Sequence, residues 1–202
     1  MRVEIVVDLV CSWSYMGFTR LTRVAEGLRA EGKPVEVTVL PYQLAPDAPV
    51  EADGMPLLEV LEMLFGAQGV KDARRMAEMA RGEGLTLDYD SALSANTFQA
   101  HRFIHLADVQ GRGEQMAERL FRAHFTDGLN LGDLATLADL AAETGVTPPA
   151  DPEEGAAETR ALLAKVRSHG IRSVPLTMVK DGPTLPGFQS EAALHAALTA
   201  SP

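Results

Sequence analysis

The sequence predicts an α/β fold in which a βαβ unit and a ββα unit flank a long, all-helical insertion. Three observations predict it. A β-branched run over residues 3–7 gives way at Ser12 to apolar residues at helical spacing, and then to a second alternating run over 35–40. After Pro41 roughly 120 residues follow with almost no strand character, far more than a simple connection uses. Strand character then returns over residues 174–179, with a turn at Lys180-Asp181-Gly182-Pro183 and a helical close.

The first strand is rich in β-branched residues and short enough for a buried strand. Asp8 to Cys11 forms a turn, and Tyr15, Phe18, Leu21, Val24, Ala25 and Leu28 then recur at three- and four-residue steps until Gly32-Lys33-Pro34 ends the helix. The second strand alternates around Glu36 and Thr38, and this strand, helix, strand order suits a parallel crossover. In the insertion, residues 57–65 are strongly apolar and 70–81 amphipathic. Residues 96–108 open on Asn96 with Gln99 three residues on, which predicts a capping box. Met116, Leu120, His124 and Phe125 share overlapping turns of a further helix; Leu134, Leu137, Ala138 and Ala141 mark another, capped by Asp133 and ended by Gly145. Pro148-Pro149-Ala150-Asp151-Pro152 breaks the chain before a helix over 153–168 that stops at Gly170. A short extended piece at 185–188 precedes a last helix capped by Ser190. The expected division is a sheet domain of residues 1–41 and 170–202 and a helical domain of 42–169, packed face to face around a cleft.

A chain of 202 residues with 46% apolar and 23% charged side chains has an ordinary globular composition and a sizeable core. The net charge of −10 would repel phosphate backbones, and the basic residues near 71–75 and 119–122 are interleaved with Asp72 and Glu118, so nucleic acid is not an expected partner. The start of the chain lacks the apolar region of a secretory signal, and no window approaches the ~18 apolar residues of a membrane span. The expectation is a soluble, cytoplasmic protein. Its one cysteine, Cys11, forms no internal disulfide and builds no cysteine-rich zinc site.

Cys11 stands between a strand and a helix start. Unpaired N–H groups and the positive end of the helix dipole favour thiolate there, which predicts a Cys11 pKa below the usual ~8.5; the bland alternative is a small buried hydrophobe. Cys11-Ser12-Trp13-Ser14 has the spacing of a Cys-x-x-Cys redox motif with serine in place of the resolving thiol. Far along the chain, Val174-Pro175 directly precedes a strand. Proline donates nothing to a sheet ladder, so a special turn of the kind a cis bond makes is expected there, bringing the Val174 backbone beside Cys11 to pair with an extended substrate.

Several separated motifs resemble one family. Asp8-Leu9-Val10-Cys11-Ser12-Trp13-Ser14-Tyr15-Met16-Gly17 resembles the Asp-x-x-Cys-Pro-Trp-Cys-Tyr-x-Gly of the DsbA-like thioredoxin-fold proteins, most closely the FrnE-like or 2-hydroxychromene-2-carboxylate isomerase-like group. Pro41-Tyr42-Gln43-Leu44-Ala45-Pro46-Asp47 is similar to its Pro-Phe-x-Leu-Asn-Pro-Asp, Asn96 to Arg102 and Leu120 to Phe125 to its helical insert, and Ser173-Val174-Pro175 to its cis-proline loop. The resemblance implies a thioredoxin-like fold with an all-helical insertion and disulfide exchange at Cys11, supported by Pro175. It departs at Ser12, which replaces proline, and at Ser14, which replaces the second cysteine. A dithiol enzyme resolves a mixed disulfide with its own second thiol; the Ser14 hydroxyl can only donate a hydrogen bond to a Cys11 thiolate.

Three mechanisms follow. Cys11 attacks a disulfide and an external thiol completes the turnover, giving a monothiol reductase or isomerase. Alternatively Ser14 or Cys11 holds a small thiol, as in kappa-class glutathione transferases and hydroxychromene-carboxylate isomerases. In the third, the fold serves as a redox-inactive binding or chaperone-like module. The catalytic candidates are Cys11, Ser14 and Pro175, and the substrate-binding candidates Ser12, Trp13, Val174 and His101. Expected partners are protein disulfides or small thiols, with a homodimer left open. No tightly bound cofactor is expected, glutathione or another low-molecular-weight thiol being the co-substrate.

His101 and His105 lie four apart on a predicted helix, the spacing for sharing a metal, but no third ligand is placed and no metal site is assigned. A partly buried polar helix face is the default reading, with His101 facing Cys11 across the cleft and holding its thiolate as an ion pair the alternative. Trp13 is expected to be partly exposed. Met55, Met63, Met76 and Met79 read as core fillers, with the lining of a client groove as the alternative. No Gly-x-Gly-x-x-Gly follows a strand, so a nucleotide cofactor has no support.

Overall fold

β1 (Arg2–Val7) and β2 (Glu36–Pro41) pair in parallel, with Val3 opposite Val37 and Ile5 opposite Val39, in a computed structural model that describes residues 1–49 and 54–200. α1 (Ser12–Ala30) makes the crossover and buries Tyr15, Phe18, Leu21, Val24 and Leu28. β3 (Leu176–Val179) returns antiparallel to β1, placing Thr177 beside Ile5, and β4 (Thr184–Pro186) follows antiparallel to β3. The strand order is β2-β1-β3-β4. β1 therefore lies inside the sheet, with Val3, Ile5, Val6 and Val7 buried and Glu4 half-exposed. Val3, Ile5 and Val7 enter the main core, whereas Val6 packs with Leu40 of β2 and Val166 on the opposite face.

Between β2 and β3 lie α2 (Leu57–Gly82), α3 (Phe98–Val109), α4 (Gly113–Phe125), α5 (Leu134–Glu143) and α6 (Ala156–Ser168). α4 joins the insertion to the sheet through an aromatic stack: Tyr15 of α1 lies flat on Phe121, centroids 5.0 Å apart, and beside Phe125 at 5.9 Å. α6 covers the second face of the sheet through Leu162 and Val166. α7 (Glu191–Thr199) ends the described fold, and Ser190 accepts at 3.1 Å from the Ala193 N–H. Asp133 caps α5 in the same way, accepting from Ala135 and Thr136. No helix among the described residues is long and apolar enough to cross a membrane.

The two helical segments expected at 57–65 and 70–81 are the arms of α2, bent at Gly66, whose φ of 64° and ψ of −164° interrupt the helix. An L side chain is disfavoured at such a φ. The bend brings the arms so close that a Cβ on Gly69 would lie 2.7 Å from the Leu61 carbonyl oxygen. α2 meets the body through Gly69, Ala73, Ala77 and Ala80, all small, besides Leu57. Its large apolar residues are left outward: Met63, Leu64 and Phe65 are each about two-thirds exposed, at 65%, 67% and 64%. The core-filler reading is thereby corrected for Met55, Met63 and Met79, while Met76 packs against the core. Met55, Met63 and Met79 are exposed and Met76 half-buried, because small residues occupy the packed face of the helix.

Three boundaries differ from expectation. α3 starts at Phe98, and no capping box forms: the Asn96 Oδ1 accepts from the Phe98 N–H at 2.9 Å and from Gln43 at 3.1 Å, while Gln99 accepts from Arg102. A buried guanidinium needs that acceptor, and it outcompetes the reach back to the helix start. α6 begins at Ala156 because Gly155, at φ 76°, turns the chain left-handed. β3 begins at Leu176, after the Pro175 loop.

Candidate active site

Cys11 is the N-cap residue of α1, extended at φ −97° and ψ 110°, with the Tyr15 N–H donating to its carbonyl at 3.1 Å. Its thiol lines the cleft. Burial is the largest influence on that thiol and pushes its pKa up, helped by the Asp8 charge; hydrogen bonds from the Ser14 hydroxyl and from the Ser14 and Trp13 backbone pull it down. The expectation of a depressed thiol is thus corrected. The helix start does favour thiolate, but the apolar wall of the insertion removes solvent from it, and the solvation loss is larger.

Ser14 is fully buried, and its hydroxyl also accepts from the Asp8 N–H at 3.3 Å. Ser12 is half-buried and hydrogen-bonds the Tyr89 hydroxyl. Tyr89 comes from the loop after α2, where no sequence motif signalled it; it brings a buried phenol of the insertion against Ser12 and close enough to sense the charge of Cys11. Trp13 is 38% exposed and leans on Phe188, centroids 5.6 Å apart.

These residues open on a cleft of 660 Å³ whose insertion wall is built by Leu57, Leu61, Phe65, Met76 and Tyr89, with Leu44 from the segment after β2. That volume lies within the usual range for a ligand site.

The Val174–Pro175 peptide bond is cis. Pro175 is buried against α1 at Gly17: a Cβ on Gly17 would stand 2.8 Å from the Pro175 Cγ. The Pro175 carbonyl accepts from the Gly187 N–H at 2.9 Å, whereas the Val174 N–H and carbonyl have no backbone partner among the described residues. Gly17→Ala is expected to push the loop off α1, because a proline ring has little freedom to yield. A loss of about 1–3 kcal/mol in urea unfolding should accompany slower disulfide exchange; unchanged values for both would show that the contact is not needed.

His101 does not face Cys11. It is 2% exposed on α3, its Nε2–H donates to the Tyr42 carbonyl at 2.9 Å, and the same nitrogen lies 3.6 Å from the Asp8 Oδ1. A buried imidazole must find an acceptor, and the chain after β2 supplies it before the cleft can. Asp8, also fully buried, accepts from the Leu44 N–H at 2.7 Å. Together these bonds tie the end of β1, the segment after β2 and α3 into one floor beneath Cys11. No group of three His, Cys, Asp or Glu side chains among the described residues is placed to hold a metal.

The sequence profile described as DSBA-like thioredoxin domain matches residues 2–199. Among solved structures, a probable DsbA oxidoreductase from Streptomyces coelicolor is similar at 28% identity and a TM-score of 0.86, covering 99% of this chain and 89% of that one. Two more distant structures share the fold. A 2-hydroxychromene-2-carboxylate isomerase is 12% identical with a TM-score of 0.66, covering 93% and 89% of the two chains. A cytosolic disulfide reductase, DsbM, from Pseudomonas aeruginosa, solved with GSH, is 18% identical with a TM-score of 0.59, covering 96% and 93%. The uncharacterized protein YwbO of Bacillus subtilis is 24% identical over 146 residues, 72% of this chain; the match spans 66% of that relative's length.

Proposed function

This chain belongs to the DSBA-like thioredoxin domain family, and we propose that within it the protein is a monothiol thiol-disulfide oxidoreductase that uses Cys11 as nucleophile and an external thiol as resolver. The observation that carries this reading is the Cys11 thiol at the start of α1, opening into an apolar cleft. The Cys11 thiolate attacks one sulfur of a substrate disulfide; a Cys11–substrate disulfide forms, and the other substrate sulfur leaves as a thiolate that takes up a proton. Ser14 holds the attacking thiolate by its hydroxyl hydrogen bond. A second thiolate, from another protein or from a small thiol such as glutathione, then attacks the Cys11 sulfur: the substrate leaves as a thiolate that takes up a proton, Cys11 is left in a disulfide with the resolver, and a further molecule of that thiol opens it, freeing Cys11 and carrying away the oxidised resolver. The residue that would make this last step internal is Ser14, which has no sulfur.

The partners under this reading are protein disulfides, with Val174 pairing an extended segment and Trp13 and Ser12 lining its path. Wild-type protein is expected to couple glutathione oxidation to reduction of a peptide disulfide and to carry a mixed disulfide on Cys11 after acid quenching. Turnover without a Cys11 adduct by mass spectrometry would overturn the reading. Ser14→Cys is expected to form an internal disulfide with Cys11 on mild oxidation, since the two positions have the Cys-x-x-Cys spacing across the start of α1. The oxidised variant should lose two hydrogens by mass and regain free thiols with dithiothreitol; two free thiols after oxidation would show that the geometry is wrong.

One observation favours a second reading. Hydroxyls of Ser12, Ser14 and Tyr89 gather around Cys11, a donor set that suits the sulfur of a small thiol, as an isomerase or transferase of the glutathione-using kind requires. Reversible binding of glutathione to Cys11→Ser by calorimetry supports that reading; its absence leaves the monothiol mechanism.

A further inference from the structure

We propose that the Cys11 cleft selects, as its disulfide substrate, an apolar polypeptide segment with a basic side chain near the reacting cysteine, and that Asp72 reads this charge. The inference rests on the monothiol reading above and names the substrate class of that same site.

The cleft walls are apolar apart from a few groups, and Asp72, on the second arm of α2, is the one acid or base among its described lining residues besides Cys11 and Tyr89. Its carboxylate is exposed and is held by a single hydrogen bond, at 2.9 Å from Gln68 one turn back. Among the described residues no lysine, arginine or histidine lines the cleft; Lys71 and Arg75, near Asp72 in sequence, are not part of its wall. A cation does lie behind Trp13: Arg20 stacks on Phe188 at 3.8 Å, but Glu83 neutralises it through two bonds of 2.5 and 3.0 Å and the Gln189 carbonyl takes a third at 2.8 Å. An anionic substrate therefore finds no counter-charge here, whereas a cationic one finds Asp72 in a chain whose net charge is already −10.

The apolar part of the specificity comes from α2. Phe65 and Leu61 line the cleft, and Met63 and Leu64 continue an exposed apolar surface beside it, because the packed face of α2 is made from glycine and alanine. A folded globular partner has few apolar segments to offer such a surface; an extended polypeptide has many. The basic side chain has a further consequence. Burial and Asp8 both disfavour the Cys11 thiolate, so a positive charge brought into the same cleft by the substrate favours the reactive form at the moment of attack.

The test uses single-cysteine peptides of one leucine-rich sequence, each carried as a mixed disulfide with 2-thiopyridine and differing only in Lys, Gln or Glu two positions after the cysteine. Attack by Cys11 forms the Cys11–peptide disulfide and releases pyridine-2-thione, whose absorbance gives the rate. At low ionic strength the Lys peptide is expected to react about five- to tenfold faster than the Glu peptide, with Gln between. The spread should collapse in Asp72→Asn and the order reverse in Asp72→Lys. Equal rates for the three peptides in the wild type, or an unchanged order in Asp72→Lys, would overturn the assignment while leaving Cys11 chemistry intact. No release from any peptide would overturn the monothiol reading itself. Rates that fall per mole as protein concentration rises would put a second copy of this chain in the groove and overturn the polypeptide assignment.

Discussion

Cys11→Ser is expected to lower peptide-disulfide reduction on the order of a thousandfold or more, because a hydroxyl at neutral pH is not a comparable nucleophile and nothing else in the chain carries sulfur that can exchange. The pH dependence makes the expectation sharper. Burial, with the Asp8 charge behind it, holds the thiol above its ordinary value, so the reactive thiolate is scarce at pH 7 and grows through the alkaline range. Alkylation by iodoacetamide reports this residue alone, since the protein has one cysteine. Its rate should keep rising with pH past about 8.5, where an ordinary thiol begins to level off. Ser14→Ala removes the hydrogen bond that pulls the thiol down, so its curve should move to still higher pH. A plateau below pH 8, or an unmoved curve in Ser14→Ala, would mean that solvation loss does not dominate the site.

The reason this balance was not legible in the sequence is that its two sides come from different distances. The favourable side is local: a strand, a turn and a helix start set Cys11 at the N-cap, and the β-branched run and the spacing of Tyr15, Phe18 and Leu21 carry that information within 20 or so positions of the thiol. The caps at Asp133 and Ser190 are equally local and stand where they were read. The unfavourable side comes from Leu57, Leu61 and Phe65, whose helical period is the same whether they face a core or line a cleft. His101 was misplaced for a related reason. Its position on a helix was readable, but the direction of a buried ring depends on which acceptor folding brings to it, and the Tyr42 carbonyl lies 59 residues away in sequence. Tyr89 sits in a loop with no pattern to mark it. The Asn96 signal was genuine but served a contact with Gln43 and Phe98 instead of a capping box.

Acidification is expected to destabilise the wild type by about 2.5 kcal/mol more than a His124→Leu variant between pH 7.5 and pH 4.5. His124 on α4 is fully buried, lies edge-on to Phe125 with ring centroids 4.4 Å apart, and has no hydrogen-bond partner for either ring nitrogen among the described residues. Burial lowers its pKa to about 4, with the Asp8 charge opposing. The sign follows from which state takes the proton first. Above about 6.5 the ring is neutral whether the chain is folded or not, and it costs nothing in differential charge. Below that pH the unfolded chain binds a proton that the folded chain refuses until about 4, so stability falls as pH falls across this window and levels off beneath it. Leucine fills a similar volume without titrating, and urea unfolding of both proteins at the two pH values isolates this one group from the carboxylates they share. Parallel losses in the two proteins would place the acid sensitivity elsewhere. The location of the ring gives the result a functional edge: His124 senses Asp8, and Asp8 anchors Leu44 on the wall of the Cys11 cleft. Unfolding driven by His124 therefore dismantles the floor of the site along with the core.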